Sequence, residues 1–312
     1  MKVFVAGASG AIGRPLVPQL VAAGHEVTGM TRREERAEAM RKAGAEAVVC
    51  DVFDTPALET AVRAAEPEIV VHLLTALPPR IDYRAKEDPL APTNRLRSEG
   101  TRNLVAAAQA AGARRLIAES VAFFYAPEGD WVKSEEAPLF HGAPPPFGDA
   151  AEALAGLERQ VFEAEGMEGV VLRFGWLYGP GTYYDRDGSL TEDAMKRRLP
   201  IVGKGTGTYS LVHVEDAAAA VLAALDRGSP GAYNVVDDEP APMHEWVPVF
   251  AATIGAKKPM RVPTWLARLV AGAGAATMAT ELRGASNAKA KQELGWKPRY
   301  ASWRQGFEEA LG

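Results

Sequence analysis

Cysteine, histidine and long apolar runs are what this 312-residue chain has least of, and each scarcity removes a class of protein. The lone Cys50 cannot close an internal disulfide, which makes a reducing cytoplasm the expected home. His25, His72, His141, His213 and His244 are spread along the chain without an HxxxH pair, so no metal site is expected. No stretch is long and apolar enough to cross a bilayer, and Met1 runs into VFVAGA without a basic leader or a cleavage site; a soluble chain with no membrane partner is expected. A formal net charge of -5 leaves no electrostatic footprint for nucleic acid.

What is present is alternation. KVFVAGA, HEVTGMT, EAVVCDV, IVVHLLT, RRLIAES and GVVLRFG are short apolar runs with the composition of buried strands. Between them lie helical patterns over Ile12 to Ala23, Glu34 to Ala43, Pro56 to Ala65 and Thr93 to Ala111. Strands alternating with helices predict right-handed βαβ units and a parallel sheet covered on both faces. The expected class is α/β: a doubly wound parallel-sheet Rossmann fold with a small C-terminal substrate lobe. After Tyr178 the alternation gives way to Gly-rich loops, a helix near Leu190 to Lys196 and a Pro- and Trp-bearing tail. The expected division is a dinucleotide domain over 1–178 and 205–236, with 179–204 and 237–312 forming a substrate lobe over the strand ends.

The first motif with chemistry in it is GASGAIG, residues Gly7, Ala8, Ser9, Gly10, Ala11, Ile12 and Gly13, set between the first strand and the first helix. Glycine permits a tight turn and close approach of a pyrophosphate, while the helix N-terminus offers unpaired N–H groups and a positive dipole end. About 20 residues past the glycines an NAD-selective site places Asp or Glu on the ribose hydroxyls. Here the second strand ends in Thr31-Arg32-Arg33. Two guanidinium groups suit a 2′-phosphate, and the expected cofactor is NADP. The bland alternative is that TRREER is the solvated start of a helix.

These motifs, with Asp51 in CDVFD, EGTRNLVAAA, VVLRFGWLYGPG, LVHVEDAAAA, AYNVVDDEP and SNAKAKQELGWKP, resemble the extended short-chain dehydrogenase/reductase family over nearly the whole chain. That family includes sugar-nucleotide epimerases and dehydratases. The resemblance implies Asp51 and Val52 beside the adenine, and Leu73, Leu74, Thr75 and Ala76 along the cofactor. It also implies Phe174, Gly175 and Leu177 on the nicotinamide side, and a homodimer through the Thr93 to Ala111 helix and the helix after the fifth strand. His213, Glu215 and Asp216 read as a helix entry rather than an acid-base cluster, with Ser286 and Asp149 as helix caps.

The family's chemistry rests on a Tyr and a Lys four residues later, on the helix after the fifth strand, where the ammonium lowers the tyrosine pKa. In PFGDAAEALAGLE, matching Glu158 to the family's glutamate puts Ala150 and Leu154 in those two places. No other tyrosine is followed four residues later by lysine. Aligning FYA with the family's VYG puts Val121 in the Ser/Thr slot and Ser120 one place before it, and Arg97 stands where a helix Asn is usual. Tyr125, Ser120, Tyr183 and Tyr184 are the candidate catalytic residues, with Lys133 behind them. Three functions stay open: an NADP(H)-dependent oxidoreductase that reduces a carbonyl or activated alkene of a small molecule with a non-standard proton donor, a non-catalytic NADP(H)-binding regulatory or structural protein, and a sugar-nucleotide epimerase or dehydratase.

Overall fold

The computed structural model describes residues 1–82, 85, 87–145 and 147–311. Pro146, the first residue of the proline-led helix entry, lies outside the described residues. Seven parallel strands form the central sheet: β1 (Lys2–Ala6), β2 (Glu26–Thr31), β3 (Glu46–Val49), β4 (Ile69–His72), β5 (Arg115–Val121), β6 (Glu168–Phe174) and β7 (Gly231–Val235). Their order is β7-β6-β5-β4-β1-β2-β3. The apolar runs of the sequence locate the first six; the seventh, GAYNV, carries Gly231 and Asn234 within it and stands out only as part of the AYNVVDDEP motif.

Alternation along each strand decides which helix it meets. Val3 and Val5 of β1, Val71 of β4, Ile117 of β5 and Leu172 of β6 point to one face. There they pack against α1 (Gly13–Ala22) and, further along the chain, the helix Val214–Ala223. Phe4 and Ala6, Val70, Leu116 and Ala118, and Val171 point to the other face. That face is covered by the helices Thr55–Ala65, Thr101–Ala110 and Phe147–Phe162. Both faces are buried, which is why the strands read as continuous apolar runs. At roughly 25 cal/mol per Å² of apolar surface, these two clusters supply the dominant stabilising term.

The expected helix over Thr93 to Ala111 is three consecutive pieces: α-helix over Ala91–Arg95, a π-turn over Leu96–Gly100, then α-helix over Thr101–Ala110. The π-turn carries one extra residue per turn and rotates the side chains that follow, a device common at functional sites. A third apolar cluster joins Tyr178 and Tyr184 to Trp246 and Phe250 of the helix Met243–Thr253, and to Trp303 and Phe307 of the helix Trp303–Leu311. The helix expected near Leu190 to Lys196 spans Ser189–Met195.

Candidate active site and dinucleotide cleft

Strand order reverses between β1 and β4, the point at which open α/β sheets bind ligands beyond the strand ends. Gly7 leaves β1 with φ +91°, and a Cβ there would lie 2.4 Å from the Leu73 carbonyl oxygen at the end of β4. A Cβ on Gly13 would lie 2.5 Å from the Ala8 and Gly7 carbonyl oxygens. Gly10 N–H donates to the Gly7 carbonyl at 2.9 Å and closes the turn. The helix then starts after Ile12 with no side-chain cap; Arg14 N–H donates to the Gly10 carbonyl at 3.0 Å, Leu16 N–H donates to the Ile12 carbonyl at 3.1 Å and Pro15 has no N–H, which leaves the Gly13 N–H of the first turn for a ligand. This turn, stripped of Cβ atoms where backbone segments meet, fits a pyrophosphate.

At the end of β2 the Thr31 hydroxyl lies 3.2 Å from the Ser9 hydroxyl and accepts from Arg33 N–H at 3.4 Å. Arg36 Nη1 donates to the same Ser9 hydroxyl at 3.4 Å. Arg32, Arg33 and Arg36 are exposed, and none forms an ion pair among the described residues. The sequence reading named Arg32 and Arg33 and missed Arg36. Its position one turn into the helix Glu34–Lys42 was the available signal.

Asp51 Oδ1 accepts from Phe53 N–H at 3.0 Å and shapes the turn after β3. Val52 is buried, and its carbonyl accepts from Asn103 Nδ2 at 3.0 Å. After β4, Leu74 N–H donates to His72 Nδ1 at 3.2 Å and Ala76 N–H donates to the Thr93 hydroxyl at 3.1 Å, which fixes the Leu73, Leu74, Thr75 and Ala76 segment. His72 is fully buried, with Nε2 2.9 Å from the Thr101 hydroxyl. Because Nδ1 must accept, the ring is neutral, and burial holds its pKa down at about 4. Phe174 is buried and Leu177 packs on the same cluster. Gly175 is small for a packing reason: a Cβ there would lie 2.4 Å from the Ser210 carbonyl oxygen.

Of the four candidate catalytic residues, the structure joins Ser120 to Tyr125 through shared partners and places Tyr183 and Tyr184 apart from them. Ser120, on β5, donates its hydroxyl to Glu158 Oε1 at 2.7 Å. Arg173 grips both Glu158 oxygens at 2.8 and 2.6 Å and donates through Nη1 to the Tyr125 hydroxyl at 3.0 Å. Tyr125 donates in turn to Asn234 Oδ1 at 2.6 Å. Ser120 and Tyr125 thus belong to one buried, mutually satisfied network, and burial pushes the Tyr125 pKa up. The Tyr183 hydroxyl donates to the Pro78 carbonyl at 2.7 Å, with its pKa pushed up to about 12 by burial. Tyr184 sits in the aromatic cluster of Trp246, Phe250 and Phe307. Lys133 donates to the Glu128 carbonyl.

The helix Phe147–Phe162 presents Ala150 at 0% and Leu154 at 2% exposure, packed with Leu90, Phe124 and Phe147. No protonatable side chain occupies the two positions that the resemblance marks. Near them, Phe123 stacks on Trp176 with ring centroids 4.2 Å apart and planes at 18°, and Tyr209 lies 5.4 Å from Trp176. Asp149 stands in the first turn of its helix, not at the cap as expected. Asn287, rather than Ser286, is the cap residue of the helix Ala288–Glu293, although the Ser286 hydroxyl accepts from Ala288 N–H at 3.3 Å. His213 caps the helix Val214–Ala223 through Nδ1, and Asp216 accepts from Arg299 and Tyr300 N–H groups, so this cluster is structural.

Two charged residues that sequence reasoning did not place in the site lie beyond the end of β4. Glu119 follows Ala118, the β5 partner of His72, and so stands on the part of β5 that β4 no longer covers. Arg97, from the π-turn, is 7% exposed and is the charge that acts on Glu119. An acid inside the apolar run RLIAESV was the signal for it.

The chain belongs to the NAD-dependent epimerase/dehydratase family, whose model matches residues 3–235. It is 46% identical over 309 residues to a 3-diazoavenalumate denitrifying reductase of a Streptomyces species, covering 98% of this chain and 99% of that protein. It is also 26% identical over 272 residues to a 2-alkyl-3-oxoalkanoate reductase of Stenotrophomonas maltophilia, covering 83% of this chain and 77% of that one. A solved UDP-glucose 4-epimerase of Thermotoga maritima superposes with a TM-score of 0.78 at 21% identity, covering 100% of this chain and 97% of that one. The Thermus thermophilus UDP-glucose 4-epimerase complex with NAD does so with a TM-score of 0.76 at 24% identity, covering 100% and 98%. Reductases and epimerases among these relatives place the chain with the short-chain dehydrogenase/reductase-like oxidoreductases. No helix among the described residues is long and apolar enough to cross a membrane.

Proposed function

We propose that this chain is an NADP(H)-dependent reductase that replaces a diazo group on a small molecule by hydride, with release of dinitrogen. The observation that carries this reading is the apolar burial of Ala150 and Leu154. Reducing a carbonyl adds a hydride and a proton, and so needs an acid. Reductive loss of a diazonium group balances as R–N2⁺ plus hydride giving R–H and N2, with no net proton supplied. An active site without the tyrosine-lysine pair suits the second reaction. The full-length likeness to the diazoavenalumate reductase supports the same chemistry.

The dinucleotide supplies the hydride when bound. The turn from Gly7 through Ser9, Gly10, Ala11 and Ile12 to Gly13 would hold its pyrophosphate, and Arg32, Arg33 and Arg36 its 2′-phosphate. Asp51 and Val52 would flank the adenine. Leu73, Leu74, Thr75, Ala76, Phe174, Gly175 and Leu177 would line the remainder. The stacked Phe123 and Trp176 rings offer a flat apolar wall for an unsaturated substrate. Ser120, Tyr125 and Tyr184 act as structural supports, and Tyr183 ties the loop after Gly181 to Pro78.

The test is direct. Purified chain, NADPH and 3-diazoavenalumate should give equal amounts of oxidised cofactor, dinitrogen and denitrified product. If the diazo compound is untouched while a 2-alkyl-3-oxoalkanoate is reduced, the chain is a carbonyl reductase and the diazo reading falls. Glu119, an acidic group beyond the strand ends, is the observation that favours this second reading.

A further inference from the structure

Glu119 is the charged residue at the strand ends that the fold does not use. Its carboxyl has no hydrogen bond or ion pair among the described residues, unlike Glu158 one helix away. Along β5, Leu116 and Ala118 face the cluster with Leu104 and Leu157, whereas Ile117 faces the cluster that contains Ile12, Leu73 and Phe174. Alternation puts Glu119 on the Ile117 side, the side of the glycine turn. Arg97 is equally under-used: among the described residues its guanidinium donates once, to Asn94 Oδ1 at 3.1 Å. A buried guanidinium and a half-buried carboxyl that attract without touching keep unused bonding capacity beside the strand ends.

Resting on the dinucleotide part of the reading above, we propose that Glu119 is the charge partner of the nicotinamide ring, ionised against the oxidised ring and protonated against the reduced one. Oxidation of the ring makes it a cation, and the carboxyl then releases its proton to substrate or solvent. Reduction removes the cation, and the carboxyl takes a proton back. One electrostatic contact thereby couples hydride loss to proton release at a single side chain.

The surroundings support this coupling. Burial pushes the Glu119 carboxyl up to about 7, while the Arg97 guanidinium pulls it the other way. From the end of β4, His72 faces the pair as a neutral ring. From β6, Arg173 is neutralised by Glu158. Arg97, on the π-turn, is therefore the uncompensated charge nearest to the carboxyl, and a ring cation would add to its effect. The group is poised so that one added positive charge changes its protonation near neutral pH.

The experiment is equilibrium binding of NADP⁺ and NADPH from pH 5.5 to 8.5, read by quenching of tryptophan fluorescence and expressed as the ratio of the two Kd values. The 2′-phosphate titrates in both ligands and cancels in the ratio. As pH falls below about 7, NADP⁺ should weaken relative to NADPH by up to about tenfold per pH unit. Glu119→Gln should make the ratio independent of pH. Arg97→Gln should raise the midpoint, because it removes the charge that favours the carboxylate. A wild-type ratio that is flat with pH, or a slope that survives Glu119→Gln, overturns the assignment. Should Glu119→Gln fail to fold by circular dichroism, an unmoved midpoint in Arg97→Gln overturns it instead. Failure of either dinucleotide to bind at any pH would sink the cofactor reading, which is a different result from a flat ratio.

Discussion

On the NADP(H) assignment proposed above, replacing Arg32, Arg33 and Arg36 together by alanine should leave a chain that binds NADPH and NADH alike. The magnitude follows from how these groups are held. None has an ion pair to lose among the described residues, and Arg36 contributes only a long 3.4 Å bond to Ser9, so the folded state should hardly notice the change. Against a 2′-phosphate each guanidinium makes charge-assisted hydrogen bonds, worth about 1.5 kcal/mol at the solvent-screened end of the range. Allowing one of the three to contribute little, the loss is roughly 3 kcal/mol, or about 100-fold in NADPH affinity. NADH affinity should change less than threefold, since the adenine, pyrophosphate and nicotinamide contacts are intact. Fluorescence titration of both dinucleotides at low and high salt is the assay, and added salt should erode the wild-type preference for NADPH. Equal losses for NADPH and NADH would refute the reasoning. They would mean that the arginines act on the pyrophosphate or on the fold.

Two further expectations concern buried groups. His72 is neutral in the fold with its pKa at about 4, below its ordinary 6.5, so the unfolded chain binds the extra proton between those limits. The stability that this supplies is complete above pH 6.5 and falls by about 3 kcal/mol as pH drops toward 4; urea midpoints should show that loss, and His72→Gln should flatten it in the same window. Glu158→Gln should cost about 3–5 kcal/mol in the urea midpoint, because it leaves the buried Arg173 without its counter-charge and loosens Ser120. A loss below about 1 kcal/mol would show that the network contributes little to stability and would reopen catalytic roles for Ser120 and Tyr125.

What was legible in the sequence followed from period and glycine. Strands buried on both faces show as apolar runs, and Gly7 and Gly13 are forced by carbonyl oxygens 2.4 and 2.5 Å from where a Cβ would stand, so fold and glycine turn could both be read off. β7 escaped because GAYNV interrupts its apolar run with Gly and Asn. Asn234 within it accepts from the Tyr125 hydroxyl at 2.6 Å, a long-range partnership with no local pattern. The partners of the candidate acids were illegible for the same reason. Tyr125 and Ser120 were attractive as hydroxyls after the fifth strand, yet Arg173 and Glu158, 48 and 38 residues away in the chain, absorb them into a buried network. That Ala150 and Leu154 fall where the resemblance expects a tyrosine and a lysine could be read in the sequence; the proximity of Arg97 and Glu119 could not. Arg97 and Glu119 come together only because a π-turn rotates one and β5 outruns β4 to expose the other. Both features are set by tertiary packing. On the alignment that the resemblance implies, an alanine-leucine helix face lies where the tyrosine and lysine would stand, while the opposite charges of Arg97 and Glu119 lie beyond the end of the neighbouring strand.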